Sequence, residues 1–182
     1  MAVTYVALLR GINVGNAKRV AMADLRTLVE KLGYGDVRTL LNSGNIVFTG
    51  PSGPPGGVAA SIEAALAKRL GVAARVTVLT AAEFAAAAAG NPLVELAPNP
   101  SRLLIAVLAR PADRSRLIPL VKQDWAPEAL AIGARVAYLW CPDGIIVSRV
   151  AKAVGRVLGD AVTMRNWATC TKLIELSAEK RR

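Results

Sequence analysis

The sequence predicts an α+β chain made of two tandem ferredoxin-like modules of the βαββαβ type, over residues 1–91 and 92–182. Three observations predict it. The order strand, helix, strand, strand, helix, strand, helix can be read twice along the chain. A segment with three prolines, 91–100, separates the two readings. Hydrophobic residues make up 53% of the 182 positions, too many for a disordered chain and enough for a buried core in one domain or two small ones. The repeat lies in the order of elements, not in side-chain identity.

In the first half, residues 3–9 are apolar and β-branched, a buried-strand pattern, and a polar glycine-containing stretch, 10–19, follows. Leu25, Leu28, Val29 and Leu32 fall at i, i+3, i+4 and i+7, one face of a helix, with Gly33 placed to end it. Strands over 36–41 and 45–49 flank Asn42-Ser43-Gly44, a hairpin signal. The Gly/Pro cluster 50–57 reads as a mobile loop. Ile62, Leu66 and Leu70 mark a second helix ended by Gly71, and 75–79 is a strand. Thr80-Ala81-Ala82-Glu83 fits a capping box that opens an alanine-rich helix stopping at Gly90.

The second half repeats the order. Residues 103–109 form a strand, and 111–123 a helix that starts near Pro111 and is disturbed by Pro119. Strands over 129–132 and 136–140 are separated by a turn at Gly133. A helix over 147–158 is closed by Gly159, a short strand covers 161–164, and 167–177 is the last helix.

Composition narrows the chemistry. Histidine is absent, which excludes an imidazole base and any metal site with an imidazole ligand. Cys141 and Cys170 are too few for a disulfide scaffold or a thiolate-only zinc site, so neither a metal nor a cofactor is expected. The first residues lack the cationic segment of a signal peptide, and no apolar run approaches the roughly 18 residues of a spanning helix. The expectation is a cytoplasmic chain with reduced thiols and no membrane partner. The formal net charge is +10, from 16 Arg and 7 Lys against 13 acids. Such a balance suits a phosphate-bearing partner, and a GC-rich coding sequence also produces it without selection; it informs on partners and not on fold.

Three constellations could carry a function. The first is Arg10-Gly11-Ile12-Asn13-Val14-Gly15-Asn16-Ala17-Lys18-Arg19. Its glycines let successive N–H groups converge on an anion, with Arg10, Lys18 and Arg19 adding charge. It matches neither a Walker A loop nor a dinucleotide fingerprint, and the same glycines also serve a plain strand-to-helix turn. The second is the 147–158 helix. Arg149, Lys152 and Arg156 project within about 60° of arc, opposite Val147, Val150, Ala151, Val154 and Leu158. That stripe can track a phosphate backbone or be an ordinary solvated face.

The third spans 163–173. Asn166 suits an N-cap, its side-chain oxygen accepting from Ala168 or Thr169, and the helix start beside Arg165 would attract an anion. Trp167 either stacks on a base or anchors the last helix in the core. Cys170 would become nucleophilic only if the helix start and Lys172 lowered its pKa, and no histidine can activate it. Asp143 and Asp160 read as turn and cap residues.

Three blocks, in this order, resemble the bacterial domain-of-unknown-function family 1697: Tyr5-Val6-Ala7-Leu8-Leu9-Arg10-Gly11-Ile12-Asn13-Val14-Gly15; Ser43-Gly44-Asn45-Ile46-Val47-Phe48; and Thr163, Arg165-Asn166-Trp167, Thr169, Lys172-Leu173. The resemblance runs nearly end to end and implies two ferredoxin-like subdomains; it implies no activity, substrate or cofactor. The chain departs from the family pattern at Asn16, where a second glycine usually follows Gly15. It departs again at Gly144-Ile145-Ile146-Val147-Ser148-Arg149, where Gly-Ile-Gly-Arg-Ser-Lys is frequent, so one glycine and one cation are lost.

The leading functional expectation is that the blocks gather at one face and bind RNA or single-stranded DNA through its phosphates. The anion-binding set is Arg10, Gly11, Asn13, Gly15, Lys18, Arg19, Ser43, Asn45, Arg149, Arg165, Asn166 and Lys172. Aromatic residues are only 4%, with Tyr5, Phe48 and Tyr138 the strand candidates for stacking, which disfavours sequence-specific recognition. Two alternatives stay open: an enzyme or binder of a small phosphorylated or nucleotide ligand, and a protein-interaction scaffold with exposed sheet edges.

Overall fold

Strand β1 (Ala2–Arg10) is the hydrogen-bonded centre of the first sheet, and Tyr5, Val6, Ala7, Leu8 and Leu9 along it are all buried. That burial is why its sequence is a continuous apolar run and not an alternating one. It pairs antiparallel with β3 (Asn45–Pro51) and with β4 (Arg75–Thr80), while β2 (Gly35–Leu40) pairs with β3. The order is β2-β3-β1-β4. Helices α1 (Met22–Lys31) and α2 (Pro55–Ala65) set Leu25, Leu28, Val29, Val58 and Ile62 into one core with Tyr5, Ile46 and Phe48. The Tyr5 and Phe48 rings stack with centroids 5.6 Å apart. Helix α3 (Ala81–Ala89) follows β4. The computed structural model describes residues 2–15 and 18–179.

The second sheet repeats the plan with β5 (Leu103–Leu108) at its centre, flanked by β7 (Val136–Trp140) and β8 (Val162–Asn166), with β6 (Ala129–Ile132) beyond β7. All its pairs are antiparallel. On it lie a short 3-10 helix (Pro111–Leu117), α4 (Ile118–Val121) and α5 (Arg149–Leu158), which bury Leu117, Leu120, Val150, Val154 and Leu158 against Leu104, Ala106 and Leu139. Helix α6 (Trp167–Ala178) follows β8. The chain is thus α+β with two four-stranded antiparallel sheets, each of the same strand order within its module.

The capping box at α3 forms as read: the Glu83 carboxylate accepts from the Thr80 N–H at 2.8 Å, and Thr80 Oγ1 accepts from the Glu83 N–H at 3.1 Å. Four readings are corrected. The helix expected over 111–123 divides, because Pro119 has no N–H to give the Ser115 carbonyl; 3-10 bonding carries Pro111–Leu117 and α bonding starts only at Ile118. The loop expected over 50–57 shrinks to 52–54, since β3 runs to Pro51 and α2 starts at Pro55. The Tyr5 hydroxyl fastens that short loop, donating to the Pro51 carbonyl at 2.9 Å and accepting from the Gly53 N–H at 3.0 Å. The second helix of the first half ends in a π-helical turn, Leu66–Leu70. Finally, Val147 stands ahead of α5 and is exposed, not part of its buried side.

The chain divides into two compact units, Met1–Phe84 with Leu173–Arg182, and Ala85–Lys172. The expected boundary at 91 therefore falls inside the second unit. Within that unit the Tyr138 hydroxyl donates to the Ala87 carbonyl at 2.6 Å, which ties the second half of α3 to β7. The stretch from Leu173 groups with the first unit, where Arg38 pairs with the Glu179 carboxylate at 3.6 Å and donates to its carbonyl at 3.1 Å. Among the described residues no helix is long and apolar enough to cross a membrane, and no cluster of acidic and thiol groups could hold a metal ion.

Candidate functional site

In the first unit the glycine loop and the hairpin turn come together, joined by the Asn13 side chain and a backbone bond. Asn13 adopts φ +55°, a left-handed conformation that asparagine tolerates. Its Nδ2 donates to the Val20 and Asn42 carbonyls, both at 2.8 Å, and its Oδ1 accepts from the Val20 N–H at 2.8 Å. One side chain thereby closes the loop and ties it to the turn. Beside it the Leu9 N–H donates to the Gly44 carbonyl at 2.8 Å. A Cβ on Gly44 would lie 2.7 Å from Leu9 Cβ and 2.8 Å from Ile12 Cδ1, so only glycine fits. Asn45 is 0% exposed; its amide donates to the Leu40 carbonyl and to Ser43 Oγ, both at 2.9 Å.

The loop's cations are exposed but tied to backbone carbonyls. Lys18 Nζ donates to the Gly71 carbonyl, and Arg19 Nη1 to the Asn13 carbonyl at 3.3 Å. Arg10 ends β1 opposite Arg75, which pairs with Glu63 at 3.5 Å. Gly11 and Gly15 both have positive φ and shape the loop. Asn16, the first departure from the family pattern, lies outside the described residues. Asn13 and Asn45 of this set build the fold, Asn45 from a fully buried position, whereas Gly11, Gly15, Lys18 and Arg19 are exposed.

At the start of α5 the protein supplies its own anion. Ser148 caps the helix, its Oγ accepting from the Ala151 N–H at 3.0 Å and donating to Glu128 Oε2 at 2.6 Å. The same carboxylate accepts from the Val150 N–H at 2.9 Å and the Arg149 N–H at 3.0 Å, and Arg149 Nε lies 3.4 Å from it. Arg149 Nη2 donates to the Trp125 and Ala126 carbonyls at 2.9 and 3.0 Å. Burial pushes the Glu128 carboxyl up, but the hydrogen bonds from Ser148, Val150 and Arg149 outweigh it and hold the group below its ordinary range. The donors that would cradle a phosphate at this helix start are already filled. Nothing local in the sequence announces Glu128, which stands 20 residues ahead of the cap.

The stripe on α5 forms as expected, with Arg149, Lys152 and Arg156 exposed over a buried side of Val150, Ala151, Val154 and Leu158. Lys152 and Arg156 have no acidic partner among the described residues. A second cationic element, missed in the sequence, lies against the helix. Arg116 donates from Nη2 to the Val157 carbonyl of α5's last turn, and its Nη1 is 3.6 Å from Asp113. Arg110 pairs with the same buried carboxylate at 3.2 Å, and Arg114 is exposed. The Arg110 hydrogen bond, against the opposing effect of burial, holds the Asp113 carboxyl below its ordinary range. The signal was available: three arginines in the seven residues 110–116.

The closing block is structural at its first residues. The Asn166 side chain caps α6, accepting from the Thr169 N–H at 2.9 Å. Arg165 lies in β8 with Nη1 donating to the Met164 carbonyl at 2.9 Å; burial lowers its pKa to about 10. Burial pushes the Cys170 thiol up to about 12, despite the opposing pull of Arg165, so it is no nucleophile at neutral pH. Trp167 is half-buried, and Lys172 is exposed.

A groove of about 310 Å³ in the first unit was not foreseen. Asp24, Thr27, Leu28 and Lys31, at i, i+3, i+4 and i+7 of α1, face Arg69 and Leu70 of the π-helical turn. Its exposed cations, Lys31 and Arg69, have no acidic partner among the described residues.

Comparison with known proteins bears on the fold and on descent. Among curated proteins there is no match. The conserved bacterial protein SP0830 from Streptococcus pneumoniae is similar in fold, with a TM-score of 0.80 and 24% identity over 97% of this chain and 99% of that one. A protein provisionally described as the chlorite dismutase TA0507 overlaps at a TM-score of only 0.26 and 13% identity, over 96% of this chain and 98% of that one, too distant to bear on the fold. The model of a family described as "Protein of unknown function (DUF1697)" matches residues 2–138, which takes in the first two blocks and stops short of the third. With most of its length inside that match, the chain belongs to the DUF1697 family.

Proposed function

We propose that the chain binds a polyanion, RNA or single-stranded DNA, through its phosphates along the helical face of the second unit. The observation that carries this reading is the pairing of two cationic elements on one module. Lys152 and Arg156 on α5 have no acidic partner among the described residues, and the hydrogen bond from Arg116 to Val157 holds the arginine-rich 3-10 segment beside them. Cations held on a rigid helix neutralise phosphates and release condensed counterions, which makes affinity steeply salt-dependent. Of the anion-binding set read in the sequence, Arg149 stands on the same helix as Lys152 and Arg156, while Asn13, Asn45 and Asn166 serve the fold. With few aromatic residues, binding is expected to be insensitive to base sequence.

The test is affinity for a uridine strand of about 16 nucleotides between about 50 and 300 mM salt. Four phosphate contacts predict a log–log slope near −3, at roughly −0.7 per contact. K152E with R156E should flatten that slope by about half. A flat slope for the native chain, or no binding at low salt, rejects the reading.

A second reading, a small phosphorylated or nucleotide ligand, is favoured by the groove in the first unit. Its volume is at the small end for ligand sites, with Lys31 and Arg69 suited to the anionic group and Leu28 and Leu70 to an apolar body. A phosphorylated metabolite at a hundred times its Kd should add about 2.7 kcal/mol to stability, and K31E with R69E should abolish that gain. Stabilisation by polyanions alone speaks against it.

A further inference from the structure

We infer that the loop ahead of α5, residues 142–147, is an apolar wedge that packs against unstacked bases. On this inference, which rests on the phosphate-binding reading above, the partner is a single strand and not a base-free polyanion. Ile145, Ile146 and Val147 are 37%, 89% and 58% exposed. Scattered exposed apolar residues are ordinary on a protein surface, but three in a row at one loop tip are not.

The loop is held and not loose. The Cys141 N–H donates to the Arg102 carbonyl at 3.0 Å, and the Arg102 guanidinium donates to the Pro142 carbonyl. Gly144, at φ +104°, turns the chain and donates its N–H to the Cys141 carbonyl at 2.9 Å. The other end is pinned by Ser148, bonded to Glu128 and to α5. A tip fixed at both ends loses little conformational freedom when it is covered.

What covers it follows from its neighbours. The tip leads directly into the helix that carries Lys152 and Arg156, so a strand with phosphates on those cations has its bases free to turn onto Ile146. Every base offers an apolar π-face, and apolar side chains are used as wedges against unstacked bases. Asp143, exposed in the same loop, would be pressed into the headgroups of an anionic lipid surface lying on the tip. Bases at that place carry no such charge.

The experiment compares three probes: the uridine strand, an abasic strand with the same number of phosphates, and vesicles containing phosphatidylserine. The native chain should bind the uridine strand about tenfold more tightly than the abasic one. I146S should reduce the uridine strand to the abasic level without changing its salt slope, whereas K152E with R156E should weaken both strands. Equal affinity for the two strands, or an equal loss on both in I146S, overturns the wedge and leaves phosphate binding standing. Vesicle binding that I146S removes, with no preference for bases, overturns it in favour of a lipid surface. Absence of binding to either strand overturns the wedge and the phosphate reading together.

Discussion

Helices α2 and α5 occupy the same place in the two modules, each following the third strand of its sheet, yet they begin and face solvent differently. Helix α2 starts at Pro54-Pro55 with no side-chain cap, and its exposed positions are Gly56, Gly57, Ala60, Ser61 and Ala64, none of them charged. Helix α5 starts at Ser148 with the Glu128 carboxylate on its first N–H groups, and its exposed side carries Arg149, Lys152 and Arg156. The architecture is satisfied by either version. A cationic face is thus not something the βαββαβ plan requires, and it is this freedom that makes the charge on α5 informative about function. The largely buried carboxylate at its start has no counterpart at the start of α2 among the described residues.

The sharpest way to break the comparison is to remove that anion. E128A leaves the Ser148 hydroxyl, two backbone N–H groups and the Arg149 guanidinium without their shared acceptor. The expected loss is about 3 kcal/mol, below the figure for a fully buried pair because the Arg149 side chain is 58% exposed. The acid of α2, Glu63, accepts from the Val76 N–H at 2.8 Å and pairs with the exposed Arg75 at 3.5 Å. E63A should lose only about 1 kcal/mol. Urea midpoints at unchanged m-value measure both, and equal losses would show that Glu128 has no special place.

A smaller effect follows from pH. In the folded chain Glu128 and Asp113 both titrate below their ordinary values of 4.5 and 3.8. The unfolded chain therefore takes up protons first as pH falls, so the stabilisation from these groups is complete above about 4.5 and declines below it as their folded values are approached. E128Q and D113N should each flatten the fall in stability between neutral pH and about 3, as followed by thermal midpoints. A profile unchanged in both variants would place the acid sensitivity elsewhere.

Much of the fold was legible because its signals are local. The Thr80–Glu83 box, the Asn42-Ser43-Gly44 turn and the Asn166 cap each lie within a few residues of the groups they bond. The misses are long-range or degenerate. Ile62, Leu66 and Leu70 are spaced alike for an α-helix and for one that ends in a π turn, so periodicity could not separate them. The grouping of the stretch from Leu173 with the first unit involves Glu179 meeting Arg38, 141 residues away. In the candidate site the limit was different in kind. Sequence shows that Lys18 and Arg19 are charged, but not that their donors end on the Gly71 and Asn13 carbonyls; nor does it show that Glu128 reaches the α5 start before any ligand can.

The smallest expected change in stability is also the most telling about the α5 face. Lys152 and Arg156 make no ion pair among the described residues, and both are exposed, so their replacement removes no buried contact and leaves no donor stranded. K152E with R156E should stay within about 0.5 kcal/mol of the native stability, since surface changes away from caps and networks seldom do more. Two carboxylates placed beside Glu128 and Asp113 add some repulsion, and the loss of two like cations near Arg149 and Arg116 relieves some, so the net electrostatic change is small and shrinks with salt. A structural stripe would make these variants markedly less stable with polyanion affinity untouched. A binding stripe predicts the reverse: native urea midpoints together with a shallower salt slope, and that opposition lets one pair of substitutions separate the two roles.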